Sequence, residues 1–132
     1  MQSFKDKNER TWKFDLTLAK ARIVDQSDFS ELTDNKISLL RPGDEFFQEI
    51  MVNQALAAAI VYTILDDKDR EAISGETEDD KQYEFANALD GPALERCQVA
   101  LWEAILDFFP QRRIALSKLK EHLEKNQKML LE

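Results

Sequence analysis

Cysteine, histidine, glycine and proline are all scarce in this chain: one, one, three and three residues among 132. A lone cysteine, Cys97, excludes an internal disulfide, and with His122 as the only histidine a Cys/His zinc site lacks its ligands. Three glycines form neither a Gly-x-Gly-x-x-Gly turn nor a P-loop, and no Gly-x-Ser-x-Gly elbow is present. Long hydrophobic runs are missing too. The longest nearly apolar stretch, Ala55–Leu65, falls well short of the ~20 residues that span a bilayer. The opening MQSFKDKNERTWKF has no apolar core of a secretory signal. Positive charge is in deficit, with a net charge of −8. That argues against nucleic acid and anionic membrane as partners, since both are held by Lys and Arg, and it suits a basic protein partner. The expectation is a soluble, cytoplasmic, non-catalytic protein with no cofactor and no metal.

What is present is the composition of a folded domain, 43% hydrophobic and 33% charged. The length argues for one domain over 1–132 with one core. Trp12, Phe14 and Leu16 alternate with Thr11, Lys13 and Asp15, the period of a strand. Phe4 suits a preceding strand, and Asp6-Lys7-Asn8-Glu9 is turn-rich, with Asn8 expected in the left-handed conformation. The fold class read from this is mainly α (α+β): an N-terminal β-hairpin over 1–16 packed on a bundle of about five helices over 17–132.

The helical part reads as follows. Thr17 caps a short helix, Leu18–Val24, and Asp28 with Glu31 reads as another helix start. Asp34–Leu40 fits helix or strand, and Pro42-Gly43 breaks the chain. Asp44 is a good N-cap for one helix, Glu45–Leu65, apolar nearly all round, with Ala57-Ala58-Ala59 allowing close approach of a neighbour. Such a helix needs cover, from a packed monomer or from a homo-oligomer. Asp66–Asp80 reads as an acidic, mobile segment with a helical turn near Arg70–Ile73, ended by Gly75. Thr77 and Asp80 open a helix Glu78–Leu89. Gly91 stops it and Pro92 begins the next, Pro92–Phe109. There Leu94, Cys97, Leu101, Ile105 and Phe108 form one stripe, bordered by Trp102 and Phe109. Pro110 precedes a last helix, Gln111–Leu131.

Few residues invite chemistry. His122 sits in a Lys/Glu-rich segment and reads as solvated; Cys97, on an apolar stripe, reads as a core residue. From Asp67, the acids Asp69, Glu71 and Glu78 fall at the third, fifth and twelfth positions of a calcium loop, but Ala72 stands where its sharp turn requires glycine. Arg112-Arg113 is a small basic patch suited to salt bridging. The candidate partner-binding residues are Phe46, Phe47, Trp102, Phe108 and Phe109, because aromatic rings anchor interfaces as well as filling cores.

Three segments in order carry a resemblance: Arg10–Val24 (RTWKFDLTLAKARIV), Asp28–Leu32 (DFSEL) and Phe85–Leu116 (FANALDGPALERCQVALWEAILDFFPQRRIAL). They resemble tail assembly chaperones, small tailed-phage and prophage proteins encoded beside the tape measure protein. That group opens with an R-x-W-x-hydrophobic-x-hydrophobic-T hairpin and a short basic helix. It closes with a glycine-separated helix pair, a hydrophobic-x-F-F-P ending and an arginine-containing helix. The chain departs where Glu9, not glycine, precedes Arg10, and its middle, 35–80, matches only in helical character. The resemblance implies binding rather than catalysis: many copies covering the apolar stripes of the tape measure protein, later displaced by the tail tube protein. Two other readings fit the composition, an acidic inhibitor that mimics DNA and a structural tail or connector subunit.

Overall fold

The alternation at the N-terminus becomes a hairpin in the computed structural model, which describes residues 1–34, 36–40, 44–109 and 121. Strand β1 (Gln2–Lys5) pairs antiparallel with β2 (Thr11–Phe14), Phe4 opposite Trp12. The turn is organised by Asp6, whose carboxylate accepts from the Asn8 and Arg10 amides (2.8 and 3.0 Å) and from Trp12 Nε1 (2.9 Å). The left-handed residue is Glu9 (φ 64°) rather than the expected Asn8, because the Asp6 side chain fixes the loop register by holding Asn8 and Arg10. A two-stranded ribbon is marginal alone. Here Phe4, Trp12, Phe14 and Leu16 are all buried, each contributing about 2 kcal/mol of apolar transfer.

Six helices follow among the described residues, making the fold mainly helical behind a hairpin, as the sequence predicts. Helix α1 (Leu18–Gln26) starts where Thr17 accepts from the Lys20 amide. Its Asp25 accepts from the Leu39 and Leu40 amides and the Ser38 hydroxyl, which pins an irregular segment and sends Ile37 and Leu39 into the core. The expected helix start at Asp28 is instead a turn. Asp28 accepts from the Ser30 amide, and Phe29 O takes both the Leu32 and Thr33 amides, so the side chain competes with helix propagation. The described part of Asp34–Leu40 is neither helix nor strand.

The expected single helix Glu45–Leu65 is two helices, α2 (Asp44–Val52) and α3 (Gln54–Ile64), bent by 100° at Asn53. Asn53 ends one and caps the other: its amide donates to Glu49 O, and its side chain accepts from the Leu56 amide and donates to Leu32 O (2.7 Å). The carbonyls of Ile50 and Met51, cut off by the bend, accept from Gln98 Nε2 at 2.8 and 2.6 Å. Apolar residues all round Glu45–Leu65 thus serve two helices facing different neighbours rather than one central rod.

The acidic segment is anchored rather than loose. Leu65 bridges to Phe14, the Asp66 amide donates to Lys13 O, and α4 (Asp67–Glu71) sets Asp69 to accept from the Lys13 amide at 2.7 Å. Arg70 donates to the Tyr62 and Thr63 carbonyls at the end of α3. Gly75 has φ +151°, and a Cβ there would sit 3.0 Å from the Lys81 nitrogen. Helix α5 (Glu78–Asn87) begins with Thr77 accepting from the Asp80 amide. It ends at Ala88, so Gly91 is not its stop. Gly91 opens α6 (Gly91–Phe108), capped by Asp90, which accepts from the Ala93 amide. Along α6, Ala93, Cys97, Leu101 and Ile105 are fully buried. Pro42-Gly43, Pro110, Arg112-Arg113, His122 and, apart from Glu121, the expected helix Gln111–Leu131 lie outside the described residues.

Phe85 joins the layers. Its ring lies 5.0 Å from Trp12, 5.7 Å from Tyr62 and 6.4 Å from Phe4. One side chain of α5 thereby fixes the hairpin against α3.

Candidate functional site

Helix α3 turns Leu56, Ile60 and Ile64 inward, all fully buried. Its other stripe, Ala55, Ala58, Ala59 and Tyr62, has the i, i+3, i+4, i+7 spacing of one helix face. Gln82, Phe85 and Ala86 on α5, with Leu89 just past its end, follow the same spacing. These two stripes wall a groove of ≈300 Å³, which Leu32 and Leu94 also line. Alanines keep it open, and Ala55, Gln82 and Ala86 are exposed along it while Phe85 and Ala59 are buried at its base.

The groove meets a second hollow of ≈380 Å³, with which it shares Leu32, Tyr62 and Gln82. Asp28, Glu31 and Asp79 line that hollow, and among the described residues no lysine or arginine lines either one. Hydrogen bonds from Ser30 hold the Asp28 carboxyl below its usual range. The Tyr62 hydroxyl donates to Glu78 at 2.7 Å, and burial, with Glu78 beside it, pushes its pKa up to about 12. The groove therefore carries an apolar floor, a neutral phenol already committed to its own chain, and a negative margin where it meets the second hollow.

Other hollows have different walls. Between β1 and α6 lies one of ≈510 Å³, where Arg96 Nε donates to Lys5 O and Gln2 donates to Asp107 beside it. Above Asp6 the carboxylate is filled by its three N–H donors. Among the described residues no three His, Cys, Asp or Glu side chains gather to hold a metal ion. Cys97 is fully buried, and burial pushes its thiol up to about 12.

The sequence-derived aromatic candidates fall elsewhere. Phe46, Phe47 and Trp102 cluster in the core, 4%, 1% and 1% exposed, with Phe47 5.9 Å from Trp102. Burial removes them as anchors for a partner of the folded chain, because their surface is already spent on the interior. Phe108 and Phe109 stack edge-on at 4.8 Å, half-buried at the end of α6 and away from the groove. The residues that line the groove were signalled only by Ala57-Ala58-Ala59. The matching stripe on α5 is visible in its spacing, but nothing in one chain's sequence pairs it with α3. No single described helix is long and apolar enough to cross a membrane. The chain matches no protein-family model, no curated protein and no solved structure.

Proposed function

We propose that this chain is a non-catalytic binding protein, a tail assembly chaperone of a tailed phage or prophage that keeps its tape measure protein soluble in the host cytoplasm. The observation that carries the reading is the open apolar groove between α3 and α5, whose helical walls and alanine floor suit an amphipathic helix. Five of its lining residues, Leu32, Phe85, Ala86, Leu89 and Leu94, lie in the segments that carry the family resemblance, as does strand β2 of the hairpin that Phe85 supports. A long helical client with exposed apolar stripes would take many copies, each weakly held, and multivalency would supply the overall affinity. Weak single contacts suit a complex that the tail tube protein must later dismantle.

The test is co-expression with the long helical chain encoded beside it. The client is expected in the soluble fraction with this protein and in the pellet without it. Equal solubility in both would overturn the reading.

A further inference from the structure

We infer that the groove selects its client by charge: its occupant is an α-helical segment with an apolar stripe on one face and lysine or arginine side chains on the flank that meets Asp28, Glu31 and Asp79. This rests on the binding-protein reading of the same groove and goes beyond it by naming the chemistry of the bound segment.

Four observations narrow the occupant. Both long walls are helices whose backbone groups are bonded within the helix, so no row of free N–H and C=O groups is offered to an added strand. The two walls present ridges at i, i+3, i+4 and i+7 with alanines between them, the relief into which another helix's side chains fit. Convergent polar groups for a small molecule are lacking, since the Tyr62 hydroxyl is engaged by Glu78. A second copy of the chain is disfavoured electrostatically. A two-fold contact through this face would join two surfaces that carry carboxylates and no lining lysine or arginine, on chains that each carry a net charge of −8.

The apolar floor supplies attraction without direction, and the acidic margin sets which flank of the helix faces it. A helix whose basic residues lie on the other flank, or which carries acids there, meets the carboxylates of Asp28, Glu31 and Asp79 with like charge or none. Such selection would let the protein choose particular stretches of a long helical chain, not every apolar stripe along it.

The experiment compares two synthetic 18-residue amphipathic helical peptides with the same leucine stripe, one with lysine and one with glutamate on the other face. The full chain is expected to bind the lysine peptide roughly tenfold or more tightly than the glutamate peptide, with the difference shrinking between low and high salt. Ala55→Arg and Ala86→Arg, both at exposed positions, are expected to weaken the lysine peptide about tenfold by crowding the groove and repelling it. Joint replacement Asp28→Asn, Glu31→Gln and Asp79→Asn should remove most of the preference. The same number of neutralisations on elements that do not wall the groove, Glu9→Gln, Glu45→Gln and Glu71→Gln, should change it by less than about twofold. Equal binding of the two peptides, or equal effects of the local and distant neutralisations, would overturn the inference.

Occupancy is read separately. Cys97 is buried, so a thiol-directed photo-crosslinker on Gln82→Cys labels the groove selectively. An adduct of the mass of chain plus peptide supports the inference. An adduct within the chain or to a second copy, formed in preference to the peptide, overturns it. If Ala55→Arg no longer binds peptide yet still keeps the tape measure chain soluble, the groove assignment fails and the chaperone reading stands. If the groove discriminates the peptides but the client is not kept soluble, the chaperone reading fails and the groove stands.

Discussion

Gln98 on α6 reaches the carbonyl of Ile50 on α2, its Nε2 2.8 Å from the oxygen, and shares the same amide group with Met51 at 2.6 Å. These are carbonyls that a continuous helix would satisfy from residues 54 and 55. The bend at Asn53 removes those partners, and a side chain distant in sequence replaces them.

Replacing Gln98 by leucine keeps much of its volume and leaves two carbonyls without donors. The expected cost is about 2–4 kcal/mol, seen as a lower urea midpoint with an unchanged slope. Gln98→Glu should cost more at neutral pH than near pH 4. A buried carboxyl facing two carbonyl oxygens has its folded-state pKa raised, so the stability it retains when protonated is lost as pH rises.

At the bend itself, Asn53 has two separable roles. Asn53→Ser keeps an oxygen for the Leu56 amide but loses the donor to Leu32 O; Asn53→Ala loses both. The alanine variant should be less stable than the serine variant by about 1 kcal/mol, the usual worth of a cap. Both should show faster amide exchange at Leu32 and Thr33, because the tether on that turn is gone.

Asp6 is 3% exposed and satisfies three N–H groups at once. Asp6→Ala strands the Trp12 indole and two loop amides, with an expected loss of about 3 kcal/mol or more. Tryptophan fluorescence followed through urea unfolding measures it. A loss under about 1 kcal/mol would mean that water replaces the carboxylate.

Alkaline stability follows from Cys97 and Tyr62, whose pKa values are raised from 9.0 and 10.0, each to about 12. In both cases the folded state holds the proton longer than the unfolded chain. Their contribution is therefore fully present below about pH 9 and is lost as pH rises through 9 to 12. Urea midpoints should fall across that window, and Cys97→Ala should show a shallower fall. The native thiol should react with a thiol reagent only as fast as the chain opens.

Much of the frame was legible locally. The hairpin follows from period-two alternation at Trp12 and Phe14, and the starts of α1 and α5 follow from Thr17 and Thr77, whose hydroxyls accept the amides three residues on. These signals are short-range, so one segment contains both partners. The helix start read at Asp28 failed for the same physics: its carboxylate takes the Ser30 amide two residues on and closes a turn before a helix can propagate. Asp90 is a cap that the Gly91-Pro92 pair obscured.

What the sequence by itself determined is therefore the hairpin, the capped starts of α1 and α5, the mainly helical class and a net negative charge, because propensity, capping and hydrophobic period act over a few residues. What only the tertiary structure decided is how those faces meet. Asn53 permits a bend, but Gln98, 45 residues on, supplies the donors that let two cut-off carbonyls remain inside the fold. Phe46, Phe47 and Trp102 could have faced a partner and instead meet one another. The groove exists only because the alanine stripe of α3 lies beside the matching stripe of α5, with Asp28 and Asp79 in the hollow that adjoins it, a juxtaposition that no spacing along the chain encodes.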